Sequence, residues 1–78
     1  MSRNQEDPLF NRVEKVRDKV GISRAELAKM TGVHYQTIGY IERGEYNPSL
    51  ALALRIAKAL NVEISKIFST KPFGKDSN

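Results

Sequence analysis

The stretch SRAELAKMTGVHYQTIGYIERG, running from Ser23 to Gly44, decides the fold. Ser23 with Glu26 forms an S-x-x-E capping box, in which each side chain satisfies one orphan backbone donor of the other. A helix is therefore predicted from Arg24, carrying Leu27, Ala28 and Met30 inward and ending near Thr31. A second helix is predicted over roughly Tyr35 to Arg43, with Ile38 and Ile41 on its inner face and Gly44 as its stop. Thr31-Gly32-Val33-His34 joins them. Gly32 supplies the backbone freedom for a sharp turn, Val33 tucks under it into the core, and the small Ala28 lets the two helices cross closely at a steep angle.

Working outward, Leu9, Val13, Val16 and Val20 recur at i, i+4, i+7 and i+11, one face of a helix that Gly21 stops. Downstream, Asn47-Pro48-Ser49 is a turn leading into an N-cap, and a helix is predicted over Leu50 to Leu60, with Asn61 after it as a tolerated left-handed residue. A short last helix, about Ile64 to Phe68, returns Ile64, Ile67 and Phe68 to the core. No segment reads as a strand. The expected organisation is a flexible arm over residues 1–8, one all-α domain of five helices over residues 9–69, and a flexible tail over residues 70–78 whose Phe73 has apolar surface to pack.

Composition narrows the function classes. A chain of 78 residues has room for one core, and 40% hydrophobic with 28% charged residues suits a folded globule. With no cysteine and a single histidine, neither a disulfide scaffold nor a thiolate metal site is available, and no catalytic constellation or cofactor is expected. No apolar run approaches the ~18 residues of a membrane span, and the polar start Met1 to Asp7 is unlike a secretory signal, so a cytoplasmic protein is the expectation. The balance of 13 Lys+Arg against 9 Asp+Glu, net +4, is compatible with a nucleic-acid partner and also with simple solubility.

Helix, four-residue glycine turn, helix is the arrangement that presents its second helix to the DNA major groove. The run Ile22–Gly44 closely resembles the helix-turn-helix of the Cro/repressor (Xre) family, and Glu45-Tyr46-Asn47-Pro48-Ser49-Leu50 and Ile56–Val62 continue the match. The likeness spans about Leu9 to Phe68 and is greatest to the single-domain repressors of bacteria and phages. It implies a compact, five-helix, lambda-repressor-like fold and a double-stranded DNA partner.

With Ile38 and Ile41 inward, the outward face of the reading helix holds Tyr35, Gln36, Gly39, Tyr40 and Arg43, the candidate base-contacting set. Gln36 suits the bidentate pairing to adenine N6 and N7. Tyr35 and Tyr40 suit a thymine methyl or a phosphate, or pack against neighbouring loops. Gly39 costs a helix about 1 kcal/mol against alanine and either admits close approach of the duplex or is surface drift. Arg43 reaches guanine or phosphate, or serves the helix C-terminal dipole. The candidate phosphate contacts are Arg24 in the first turn of the preceding helix, His34, Thr37, Tyr46 and Asn47, the last by its likeness to a family position that meets the backbone. His34 departs from the serine or threonine usual there. It has no second ligand, so no metal is assigned to it.

The resemblance further implies a partly buried ion pair between Arg17 and Glu42, which removes a carboxylate that would repel phosphate. On the helix over Leu50 to Leu60, an inner stripe of Leu50, Ala53, Leu54, Ala57 and Leu60 leaves a second stripe of Leu52, Ile56 and Ala59. That second stripe is the candidate interface of a homodimer on a palindromic site. The leading expectation is a sequence-specific transcriptional regulator, acting as a repressor. The alternatives are the antitoxin or partner-binding module of a toxin–antitoxin pair and a restriction-system controller.

Overall fold

The computed structural model describes residues 8–74. The order is β1 (Phe10–Asn11), α1 (Val13–Val20), α2 (Arg24–Thr31), α3 (Tyr35–Glu42), α4 (Leu50–Leu60), a single 3-10 turn (Ile64–Lys66) and β2 (Phe68–Ser69). The fold is mostly helical, with four α-helices and a two-stranded ribbon rather than five helices and no strand. The arm over residues 1–7 and the tail end over residues 75–78 lie outside the described residues.

The α2–turn–α3 unit follows its local chemistry. Glu26 N–H donates to Ser23 Oγ at 3.0 Å and Ser23 N–H to Glu26 Oε1 at 2.7 Å, closing the capping box. Gly32 turns the chain with φ +80° and donates its N–H to Ala28 O at 2.8 Å, and Val33 N–H reaches the same carbonyl at 3.1 Å. The buried Thr31 returns its hydroxyl to Leu27 O at 2.8 Å, which satisfies that donor at the turn.

Three departures have physical causes. The first helix begins at Val13 rather than Leu9 because Asn11 intervenes: its Oδ1 accepts from Val13 N–H at 3.0 Å, while its Nδ2 donates to Ile41 O at 2.9 Å. Leu9 still packs on the core from outside the helix, but Val20, expected inward, is half exposed. The segment after α4 closes only i→i+3 bonds, Lys66 N–H to Glu63 O and Ile67 N–H to Ile64 O, because Phe68 is drawn into a strand. Phe68 pairs with Asn11 and Ser69 with Phe10, antiparallel, and Arg12 N–H to Ile67 O at 2.9 Å extends the tie.

The third departure concerns α4. Its buried meridian is Leu52, Ala53, Ile56, Ala57 and Leu60, packed with Val13, Leu27, Ile38, Ile41 and Ile67. Leu50, at 70% exposure, and Leu54, at 49%, face outward. Leu52 and Ile56 are thus core rather than the surface for a second copy, and Ala59 is half-buried beside Met30, Arg55 and Lys58. The two alanines on the buried meridian let α4 sit close to α2, and the three larger residues fill the space between.

Candidate nucleic-acid interface

α3 stands on Ile38 and Ile41, which fix its roll and turn Tyr35, Gln36, Tyr40 and Arg43 to solvent. Its first turn follows His34, whose backbone is extended but whose side chain makes no capping bond, leaving that exposed imidazole outside the helix hydrogen-bonding. Its end is closed by Gly44 at φ +77°, with Gly44 N–H to Ile41 O at 3.0 Å and Glu45 N–H to Tyr40 O at 2.8 Å. Arg43 lies over the Tyr40 ring at 5.2 Å and meets Glu45 at 3.3 Å, an exposed pair that holds it lightly. Thr37 is half-buried, and Tyr46 and Asn47 are exposed in the loop that follows.

Beneath this face the Glu42 side chain is fully buried. Arg17 Nε donates to its Oε2 at 2.7 Å and Arg24 Nε to its Oε1 at 2.8 Å. Arg17 also donates from Nη1 to Ile22 O at 2.9 Å. The bond to Glu42 pushes the Arg17 guanidinium further up from its already high value, against the opposing effect of burial, so it stays charged. One carboxylate thus pins α1, α2 and α3 together while its negative charge is hidden from the outward face.

The structure brings Arg17 and Glu42 together, and gives two of the base or phosphate candidates a different setting. Gly39 is buried, not open: a Cβ there would lie 3.2 Å from Arg43 Nη1 and 3.4 Å from Arg24 Nη1. Arg24, assigned by its sequence position to a phosphate, instead pairs with Glu42 and leans over the middle of α3. The sequence reading missed that second partner of Glu42. The available signal was that a buried carboxylate has more acceptor positions than one arginine fills. It also missed Arg55, whose Nε donates to Thr31 O at 3.1 Å and satisfies the last turn of α2.

A helix-turn-helix family model matches residues 13–67, from the start of α1 through the 3-10 turn. The chain belongs to the Cro/repressor (Xre) helix-turn-helix family. This helix-turn-helix protein is 46% identical over 60 residues to an HTH-type transcriptional regulator of Archaeoglobus fulgidus, covering 77% of this chain and 86% of that one. It is 34% identical over 61 residues to the control protein C.SmaI of Serratia marcescens, covering 78% of this chain and 73% of that one. The crystal structure of the restriction-modification controller protein C.AhdI from Aeromonas hydrophila is similar with a TM-score of 0.67 at 33% identity, over 69% of this chain and 82% of that one. The family is one of DNA-binding transcriptional regulators, not of enzymes. Among the described residues no helix is long and apolar enough to cross a membrane.

Proposed function

We propose that this helix-turn-helix protein is a sequence-specific repressor that binds double-stranded DNA as a homodimer, with α3 in the major groove of each half of a palindromic operator. The observation that carries this reading is the outward face of α3, where Tyr35, Gln36, Tyr40 and Arg43 are exposed and the helix's one carboxylate, Glu42, is buried and doubly paired. Gln36, in the first turn, reads adenine through its amide, and Tyr35, Tyr40 and Arg43 complete base contact. His34, Thr37, Tyr46 and Asn47 meet phosphates on either side and hold the register. Repression then needs occupancy alone, with no chemistry.

Two reading helices must sit ~34 Å apart to enter successive major grooves on one face of the duplex. The outward Leu50 and Leu54 of α4 supply apolar surface for the two-fold contact. The likeness to C.SmaI and C.AhdI supports a second reading, in which the same DNA-binding domain controls a restriction–modification system. Selection of duplexes from a random pool tests the first reading directly. A palindrome with half-site centres about one turn apart is the expected product, and recovery of no preferred sequence would overturn it. A restriction endonuclease gene beside this one would favour the controller reading.

A further inference from the structure

Arg24 is the charged residue whose position the phosphate-clamp assignment does not explain. It extends across to α3, bonds Glu42 through Nε at 2.8 Å, and rests its Nη1 3.4 Å from where a Gly39 Cβ would sit. Gly39 lies midway along the outward face of α3, between Gln36 and Arg43. A group seated there faces the floor of the groove into which α3 is proposed to dock, rather than its walls.

The geometry points to Arg24 as a specificity-determining residue that reads the O6/N7 edge of a guanine, an assignment that rests on the DNA-binding reading above. The bond to Glu42 occupies Nε, which leaves the Nη1/Nη2 edge as the donor pair that matches guanine bidentately. The Arg24 side chain is 34% exposed overall, and the buried Glu42, itself pinned by Arg17, fixes it before DNA arrives. Such preorganisation lowers the ordering cost of the contact. Gly39 has a matching role as the seat for both guanidiniums: a Cβ there would press on Arg43 Nη1 at 3.2 Å and meet Arg24 Nη1 in ordinary contact at 3.4 Å. An interior helix glycine is intrinsically unfavourable, and this seat accounts for its presence.

Duplexes recovered from a random pool with the full chain, followed by competition against every single-base variant of the recovered sequence, test the assignment. Arg24→Lys keeps the charge, but an ammonium that bonds Glu42 has no planar Nη1/Nη2 edge left to present to the base. It is expected to lose about tenfold of the discrimination at one G·C pair in each half-site, with preferences elsewhere unchanged. Replacing that guanine by 7-deazaguanine is expected to weaken the parent and leave Arg24→Lys indifferent. Ratios between competing duplexes do not depend on the fraction of protein folded, so a folding defect in Arg24→Lys cannot mimic a loss confined to one pair. Weakening of all duplexes by one common factor in Arg24→Lys would return the residue to a phosphate role and overturn the assignment, as would unchanged preferences. Should the parent itself recover no preferred sequence, the DNA-binding reading falls, and this assignment with it. Should the parent recover one that Arg24→Lys reads identically, only the assignment falls.

Discussion

Glu42 and Gln36 lie six residues apart on one helix and are expected to fail in opposite ways. Removing the Glu42 carboxylate leaves Arg17, whose side chain is only 10% exposed, with the exposed Asp18 at 3.3 Å as its remaining counter-charge. Breaking a buried pair in this manner costs about 3–5 kcal/mol. Because Asp18 compensates in part, the lower end is the expected loss for Glu42→Ala, about 3 kcal/mol in a urea melt. That is a large share of the roughly 4–12 kcal/mol available to a domain of this size. A melt superimposable on the parent's would show the pair to be structurally idle. Gln36→Ala removes an exposed side chain and is expected to leave the melt within about 0.5 kcal/mol. In a competition titration it is expected to lose about 1–3 kcal/mol of discrimination at an adenine. Uniform weakening on every duplex would contradict a base-reading role for Gln36.

Among the elements, α4 makes the sharpest demand on the reading of the core. Ile56 is fully buried, so Ile56→Ala is expected to cost about 2–5 kcal/mol through lost burial and the cavity left behind. Leu54→Ala, on a residue half exposed, is expected to cost well under that in dilute solution, where a dimer contact would not contribute. Equal costs in parallel denaturant melts would put Leu54 back on the inner stripe. That stripe was legible only in part: Ala53, Ala57 and Leu60 are buried as expected, but Leu50 and Leu54 are not, because Leu50-Ala51-Leu52-Ala53-Leu54 followed by Ile56 and Ala57 is apolar around most of the helix circumference. Only the packing of α4 against α2 and α1 selects the meridian through Leu52, Ile56 and Leu60. By contrast, the start of α2, its turn and the inward side of α3 were legible, since Ser23, Glu26, Gly32, Ile38 and Ile41 act through neighbours a few residues away, although Met30, expected inward, is exposed. The ribbon of Phe10–Asn11 with Phe68–Ser69 joins opposite ends of the domain, and two-residue strands leave no alternation to read. The setting of Arg24 was hidden for the same reason: its partner lies 18 positions away on another helix, and the side chain's direction is set by Glu42 rather than by the first turn of α2.

For the whole molecule, a net charge of +4 is modest, and its effect depends on where the charges are exposed. The one buried carboxylate offsets one of the two guanidinium charges that Arg17 and Arg24 bring to it, so the cations that meet phosphate are few for each copy. The salt dependence of binding then reports how many copies engage, because each phosphate neutralised contributes about −0.9 to the slope of log K against log salt on duplex DNA. A dimer is expected to show about twice the slope on a full palindrome that it shows on an isolated half-site. The two-fold contact is assigned to Leu50 and Leu54, whose outward surface is apolar while the core beneath them is complete without it. Leu54→Glu places a like charge against its mate across the two-fold axis, at a half-exposed residue outside the buried core. It is expected to sediment as a monomer at concentrations where the parent is a dimer, and to retain the parent's thermal midpoint when both are dilute. On the full palindrome it is expected to lose the avidity of paired half-sites, a factor of about 10²–10⁴, while half-site affinity stays unchanged. A parent that sediments as a monomer at tens of micromolar, or a Leu54→Glu variant that remains dimeric, would remove α4 from the interface and leave the spacing of the reading helices without a basis in this surface.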